Sequence, residues 1–563
     1  MSKNVLIGVA WPYVNGDLHI GHLTGYLLPA DLCARYNRII GNNVLMVSGS
    51  DCFGTPITVE ADKRGLTPQD VVDEYHKKDV DLFLNKLNLT YDLYTKTQTE
   101  NHIKITQDFF MRMMDEGFII IDSEEQYYSP KDRKFLPDRY VIGTCPFCGF
   151  EDARSDQCDK CGKLIGHGEL KNPISNLSKE PVQLKDSDHY YIDWPKLQSK
   201  LEEYVEGVKD SWKEWVAKET LGWLKEGLKP RAITRDINWG VPIPADRIPK
   251  DKLISNYENK RIYVWFDAVI GYYSASVEWA GNNNKDYDNY WYDKKSDNQL
   301  KHYYFMGKDN LVFHAMFWPG QLMVFDPKIH LPDVVSINMF LDLGGKAFSK
   351  SRGVSISIKD FVDEFGNDAA RFYLTLIMPE IRDSSFKWGD FEEKVNGVLV
   401  ANLGNFIHRV LSIGKDIKSE DLKMYKIWNE TELKVKEAFE NSDNYLNRCE
   451  FRKYLDEILK LSSYGNSIVD REKLWEIKKS DSEWFNETLF QLYYVILGLK
   501  YLMNPLMPHA SDRLADMTST KRAERWNLGN LSEVLQEEVL EMNLKDVVPL
   551  FNKIEGIASR DSY

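Results

Sequence analysis

Between Val5 and about Glu116 the apolar positions change period repeatedly. A compact run, VLIGVA, leads into GHLTGYLLPADLCARYNRII, whose apolar residues recur at helical spacing, and then into a second compact run, VLMVSGSD. Short apolar runs alternating with longer segments of helical period predict the strands and helices of a parallel βαβ sheet. Two helix starts are expected where Thr55 precedes Pro56 and Thr67 precedes Pro68, each pairing an N-cap hydroxyl with a proline at the first helical position. From Gly117 to Leu224 the alternation lapses into aromatic, strand-like pieces such as HYYIDW, followed by helical QSKLEEYVEGVKDSWKEWVAK, which reads as an inserted module. Alternation resumes with RIYVWFDAVIGYYSA, KHYYFMGKDNLVFHAMFW and DVVSINMF. Beyond about Asp390 nearly every segment has helical period, as in VANLGNFIHRVLSI and LFQLYYVILGLKYLM.

The expected architecture is therefore α/β: a Rossmann-type parallel sheet split by an insertion and followed by an α-helical domain. The boundaries fall at 1–116 for the first half of the sheet domain, 117–224 for the insertion, 225–325 for the second half, 326–390 for a loop and linker, and 391–563 for the helical domain.

Composition narrows this picture without redirecting it. The 563 residues suffice for three or four packed units, and 43% hydrophobic with 28% charged residues describes a globular protein. No stretch reads as a membrane span, and MSKNVLIGVA lacks the apolar length and cleavage pattern of a secretory signal, so a cytoplasmic location is expected. Seven cysteines, four of them clustered, fit metal ligation better than a secreted disulfide framework. A net charge of −14 argues against bulk attraction to nucleic acid but leaves room for local basic surfaces.

Three motifs carry chemistry. In WPYVNGDLHIGH, His19 and His22 stand three apart behind the first strand, with Gly21 keeping the backbone between them bare. At a helix N-terminus beyond a parallel sheet, two imidazoles sharing one face can donate to phosphate oxygens as these gain charge. Zinc ligation and two unrelated surface histidines fit the same spacing. In GGKAFSKSRG, Lys346, Lys350 and Arg352 lie among small hydroxyl residues between glycines, a loop able to close over a triphosphate or to be a solvated turn. In CPFCGFEDARSDQCDKC, Cys145, Cys148, Cys158 and Cys161 form two CxxC turns, the spacing of one closed tetrahedral structural zinc; rubredoxin-like iron is the chemical alternative.

HIGH and FSKSRG resemble the two signatures of class I aminoacyl-tRNA synthetases. Within that class the chain is similar to the methionyl-tRNA synthetase family, from Val5 to about Pro508, through GSDCFGTPI, FLPDRYVIGTCPFC, YVWFDAVIGY, GKDNLVFHAMFWP and GNFIHR. The resemblance implies ATP-dependent activation of methionine to methionyl-adenylate and its transfer to the 3′-terminal adenosine of initiator and elongator methionine tRNA. It implies Mg²⁺ with ATP, one structural zinc per chain, and catalysis by His19, His22 and Lys350, with Gly21, Lys346 and Ser349 also on ATP. Trp11, Tyr13, Trp265, Ala268, Tyr272, His314 and Trp318 match methionine-pocket positions, and Asp51 the holder of the α-ammonium. An aromatic pocket suits a thioether, which offers almost no hydrogen-bonding handle. Without the resemblance, the same rings read as core and Asp51 as a helix cap.

Asn405, Arg409 and Trp475 match anticodon-binding positions of the helical domain, and an amide, a guanidinium and an indole are what single-stranded RNA recognition uses. Ala401 replaces a further asparagine of the bacterial pattern, with Asn402 beside it. The first lysine of the family's KMSKS loop is Ala347, with Lys346 one residue earlier and Phe348 in the methionine place. With Val269 and Asn310, these features are closer to the archaeal and eukaryotic branch. A sister enzyme for another amino acid would share the phosphate motifs without the aromatic pocket, and a noncatalytic scaffold would not need His19, His22 and Lys350 intact. No dimerising tRNA-binding domain follows the helical region, so a monomer is expected.

Overall fold

A computed structural model describes residues 2–136, 140–155, 158, 160–161, 165, 168–293, 299–347, 355–526 and 528–561. Strand Asn4–Val9 has every residue buried, as a strand covered on both faces must, and so shows a continuous apolar run in place of alternation. It lies at the centre of a five-stranded parallel sheet in the order Val334–Asn338, Leu300–Gly307, Asn4–Val9, Asn43–Ser50, Leu93–Lys96. Strands from both sides of the insertion thus share one sheet. The outer strand Val334–Asn338 lies beyond residue 325, so the sheet runs further along the chain than the expected boundary. Strand order reverses between Asn4–Val9 and Leu300–Gly307, and open α/β sheets bind ligands in the crevice beyond the carboxyl ends at such a switch point.

The helix after the first strand runs from Ile20 to Ile39 in three pieces: α-helical Ile20–His22, a π segment Leu23–Leu27, and α-helical Leu28–Ile39. Another π segment, Phe313–Phe317, precedes helix Trp318–Phe325. Each ends two residues before a proline, Pro29 or Pro319. A proline ring lacks the N–H and crowds the carbonyl four residues back, and a widened turn relieves both. Thr67 caps helix Pro68–Val80 through a reciprocal capping box with Asp70. At the other expected start the N-cap is Gly54, and Thr55 and Pro56 are already helical. The cause is steric: a Cβ on Gly54 would meet the Tyr13 ring at 2.2 Å, so no hydroxyl-bearing side chain fits there.

The insertion is built on a long antiparallel ladder of Ile119–Ser129 with Gln183–Ile192, and carries a small sheet of Val141–Thr144, Ala153–Arg154 and Lys171–Ser175. Helices Gln198–Val208 and Glu214–Glu226 turn back onto the main sheet. There Tyr204 Oη donates to the Pro332 carbonyl at 2.8 Å and Lys213 Nζ to Asn338 Oδ1 at 2.6 Å.

The carboxyl-terminal part is helical, with Asn429–Asn447, Phe451–Glu472 and Ser482–Met503 packed together and the last buried nearly all round. Arg371, almost fully buried, ties it to the helix that bears the histidines. Its guanidinium pairs with Asp31 at 2.8 Å and donates to the Leu506 and Pro505 carbonyls. Burial alone would raise the Asp31 pKa, but Arg35 and Arg371 hold it below the usual carboxylate range. No helix among the described residues is long and apolar enough to cross a membrane.

Candidate active site

A cavity of about 810 Å³ opens beyond the carboxyl ends of the two switch-point strands. Its walls come from Trp11 to Tyr13 after the first strand, His19 to Tyr26 on the following helix, Asp51, the Trp265–Tyr272 segment and Asp309 to His314. His19 and His22 sit side by side, half-buried, with ring centroids 3.9 Å apart, and the His19 N–H donates to His22 Nδ1 at 3.2 Å. That bond closes a capping box at the helix start and fixes the pair's orientation. Gly21 also lines the cavity.

The segments that flank the basic loop meet the cavity and the histidine-bearing turn. Hairpin Leu341–Leu343 with Lys346–Ala347 leads into it, and Asp342 and Gly345 line the cavity. Past it, the Ile20 N–H donates to the Ile356 carbonyl at 3.0 Å and the Ile358 N–H to the Leu18 carbonyl at 3.0 Å. The first signature and the segment just after the second, more than three hundred residues apart in sequence, are thus tied by backbone pairing. Lys346 is exposed on the hairpin and does not line the cavity. Phe348, Ser349, Lys350 and Arg352 lie outside the described residues.

Of the expected methionine-pocket set, Trp11, Tyr13, Asp51, Trp265, Ala268, Tyr272 and His314 all line the cavity. Trp318 does not; it is fully buried behind Tyr272, with ring centroids 6.2 Å apart. The expectation rested on the resemblance; the structure gives this ring the core position that helical spacing alone suggests, one layer behind the cavity wall.

Tyr272 Oη lies 2.7 Å from His314 Nε2, and His314 Nδ1 lies 3.0 Å from the Asn310 carbonyl. The carbonyl can only accept, so Nδ1 carries the proton and Nε2 accepts from the tyrosine. Burial lowers the His314 pKa to about 4, which keeps this wall uncharged. Trp265 stacks on Phe313 at 4.1 Å and meets Tyr13 edge-on at 6.3 Å. The Trp11 indole is seated on two bare backbones: a Cβ on Gly49 would meet it at 2.3 Å and one on Gly271 at 2.6 Å.

Asp51 is the buried carboxyl among the four aspartates that line the cavity, 3% exposed, with Oδ1 accepting from the Phe53 N–H at 3.3 Å. Burial, then the nearby Asp267, raises its pKa well above the ordinary range. Asp267 itself is fully buried and likewise raised by burial, with Oδ2 3.4 Å from Nε2 of His102. The His102 pKa is lowered to about 3 by burial, and its ring packs 6.1 Å from Trp11. Sequence reasoning missed Asp267, His102, Gly49 and Gly271. Asp267 and Gly271 left a trace inside YVWFDAVIGY and Gly49 at the start of GSDCFGTPI; His102 left none.

Cys145, Cys148, Cys158 and Cys161 bring their sulfurs within 4.8 Å of one another, with Cys145 to Cys161 at 3.9 Å and Cys148 to Cys158 at 3.6 Å. Thiolates bound tetrahedrally to zinc stand about 3.8 Å apart, so the residues present fit the ion. The cluster belongs to the insertion and is separate from the cavity.

In the helical region, Asn405 and Arg409 line an open polar groove of about 760 Å³ with Asn402, His408, Asn466 and Asp470. Arg409 donates to Asn466 Oδ1 at 3.1 Å and reaches Asp470 at 3.4 Å. Trp475 is not in that groove; it stands 45% exposed on the short helix Leu474–Ser480.

Residues 5–411 match the family described as tRNA synthetases class I (M). The methionine–tRNA ligase of Roseiflexus sp. (strain RS-1) is 40% identical over 524 residues, covering 92% of this chain and 87% of that protein. The methionine–tRNA ligase of Thermococcus onnurineus (strain NA1) is 36% identical over 570 residues, covering 98% and 76%. A solved structure, Mycobacterium tuberculosis methionyl-tRNA synthetase in complex with methionyl-adenylate, superimposes with a TM-score of 0.75 over 98% of this chain and 100% of that one. Its 20% identity makes this a likeness of fold.

Proposed function

The chain belongs to the class I tRNA synthetases of the methionine type, and from that premise we propose roles for its residues. It is an ATP-dependent ligase that activates methionine to methionyl-adenylate and passes it to the 3′-terminal adenosine of methionine tRNA. The observation that carries the residue roles is one cavity, at the switch point of the sheet, joining a histidine pair, a buried carboxyl and an uncharged aromatic wall.

Asp51 accepts from the methionine α-ammonium in a charge-assisted hydrogen bond, while Trp11, Tyr13, Trp265, Ala268, Tyr272 and His314 enclose the thioether by shape. The methionine carboxylate attacks the α-phosphorus of ATP and pyrophosphate leaves. His19, His22 and Lys350 stabilise the phosphate charge that develops, and Gly21, Lys346 and Ser349 help to bind ATP. Mg²⁺ arrives with ATP and neutralises its phosphates. Positioning and electrostatics suffice, and no protein nucleophile is needed.

Cys145, Cys148, Cys158 and Cys161 hold one structural zinc, and Asn405, Arg409 and Trp475 read the anticodon of initiator and elongator tRNAs. The working form is a cytoplasmic monomer. A place in the archaeal and eukaryotic-like branch rests on Val269, Asn310, Phe348 and the Lys346–Ala347 pair; of the two relatives above, the more similar is that of the bacterium Roseiflexus.

ATP–pyrophosphate exchange measured across amino acids tests this reading. Exchange should depend on methionine, and Lys350→Ala should slow adenylate formation by about 2–4 kcal/mol of barrier with little change in methionine affinity. Exchange driven by a different amino acid, or a collapse of methionine binding with the chemical step intact, would overturn the assignments. Metal analysis should find about one zinc per chain; iron in its place would refute that site.

A further inference from the structure

Beside the mouth of the cavity, two large apolar side chains stand out on backbone that is fixed on both sides. Phe340 is 46% exposed and Ile381 71% exposed. The Met339 N–H donates to the Pro379 carbonyl at 2.8 Å, the Phe340 N–H to Asp383 Oδ1 at 3.0 Å, and the Ser384 N–H to the Phe340 carbonyl at 3.0 Å. Strand Leu341–Leu343 then continues in parallel register with Ser384–Phe386. The exposed ring and the exposed branched chain are therefore presented by a rigid lip. Arg382, also exposed, adds a guanidinium beside them.

Fixed apolar surface at the rim of a ligand cavity calls for a partner that covers it. The chemistry here is specific: a flat ring and an aliphatic side chain for stacking, a guanidinium for a phosphate, and a carboxylate that can accept from an exocyclic amino group. Asp383 spends one oxygen on the Phe340 N–H, which leaves the other for such a group. Adenine offers a flat face and an amino edge, and a nucleotide adds the phosphate.

We propose that the Phe340–Ile381–Arg382 lip seats the 3′-terminal adenosine of tRNA during the transfer step, with Asp383 accepting from its amino group. The inference rests on the ligase reading above. The adenine of ATP has the same chemistry, but it must sit with its phosphates beside His19 and His22. Phe340 and Asp383 border that cavity, whereas Ile381 and Arg382 lie outside its lining, so the lip runs from the cavity edge outward. A substrate that reaches the acyl carbonyl from outside has to cross this rim.

The two adenosines are separated by measuring two reactions on the full-length chain. Methionine-dependent ATP–pyrophosphate exchange needs no tRNA, whereas single-turnover transfer from preformed, enzyme-bound methionyl-adenylate to a methionine tRNA transcript needs no further ATP. Ile381→Ala and Arg382→Gln should leave exchange within about twofold of the parent and slow transfer about tenfold at subsaturating tRNA, the scale of one lost base contact. Phe340→Ala should slow transfer, and Phe340→Trp, which keeps a flat ring, should restore it. Equal loss of exchange and transfer in the Ile381 and Arg382 variants would assign the lip to ATP and overturn the proposal, as would unchanged transfer in all of them. Absence of methionine-dependent exchange in the unaltered chain would instead refute the ligase reading itself.

Discussion

The cavity at the sheet and the groove in the helical region are of similar volume and opposite character. The first, about 810 Å³, is walled by rings and holds one buried carboxyl; the second, about 760 Å³, is lined by amides, hydroxyls and an arginine. Burial explains the contrast. A ligand enclosed by aromatic rings is selected by shape and by the one polar partner it finds, because every unmatched polar atom there costs desolvation. An open polar groove keeps its groups in contact with water and with one another, as Arg409 does with Asn466 and Asp470, and exchanges those contacts for base edges on binding. The closed site concentrates its energetics in a few side chains, and the open one spreads them over many.

The sharpest way to break that contrast is at Asp51. Asp51→Asn should raise the KM for methionine roughly 100-fold, since a buried charge-assisted contact is worth about 1.5–3 kcal/mol. The same change should raise the melting temperature of the ligand-free chain at neutral pH. Asp51 has a raised pKa, so the folded state holds its proton more tightly than the unfolded state does. Stability from this group is complete below the ordinary carboxylate pKa and falls as pH rises through the raised one. Removing the carboxyl removes that loss. Methionine binding has the opposite slope: its ammonium needs the carboxylate, so affinity should weaken as pH falls through the raised pKa, and Asp51→Asn should flatten the profile. An unchanged KM would remove Asp51 from the site.

In the groove, no single change should be as damaging. Trp475→Ala should raise the KM for tRNA about tenfold, the scale of one lost stacking platform, and leave ATP–pyrophosphate exchange intact. Trp475 is not part of the groove lining, which makes this a test of whether anticodon contacts extend beyond Asn405 and Arg409. Equal damage to charging and exchange would show that its indole serves the fold.

The two regions also differed in how well the sequence disclosed them. Strands buried on both faces require apolar runs, so VLIGVA and VLMVSGSD announced the sheet, and Thr67 announced its helix because a cap needs a hydroxyl and an N3 acceptor. The pocket rings lay in family-like motifs, and most of them do line the cavity. What stayed hidden depended on contacts between distant segments. Gly54 took the cap because Tyr13 occupies the space of a side chain, Gly49 and Gly271 are bare because Trp11 lies on them, and His102 meets Asp267 from a helix with no motif of its own. Trp318 was misplaced because the resemblance cannot separate a ring that lines the cavity from one that backs it; Trp318 is fully buried behind Tyr272. In the groove, Asn466 and Asp470 come from a different helix than Asn405 and Arg409, and no local pattern marks them.

The smallest effect tests the neutrality of the closed site. Tyr272→Phe removes the hydroxyl that donates to His314 Nε2, a bond at 2.7 Å in the pocket wall. One buried acceptor is left to the cavity's water, at a cost of about 1 kcal/mol, so the KM for methionine should rise only a few-fold. The more telling readout is the pH dependence. A donor to Nε2 favours the neutral imidazole, so its loss should raise the His314 pKa from about 4. With its pKa lowered to about 4, His314 in the parent chain is predominantly neutral from pH 5 to pH 8. In the variant, the imidazole should begin to protonate at higher pH, placing a cation against the thioether, and methionine affinity should begin to fall earlier on the acid side. Parallel profiles for the parent and Tyr272→Phe would show that enclosure alone keeps the wall neutral, and that the closed site selects methionine by shape without help from this hydrogen bond.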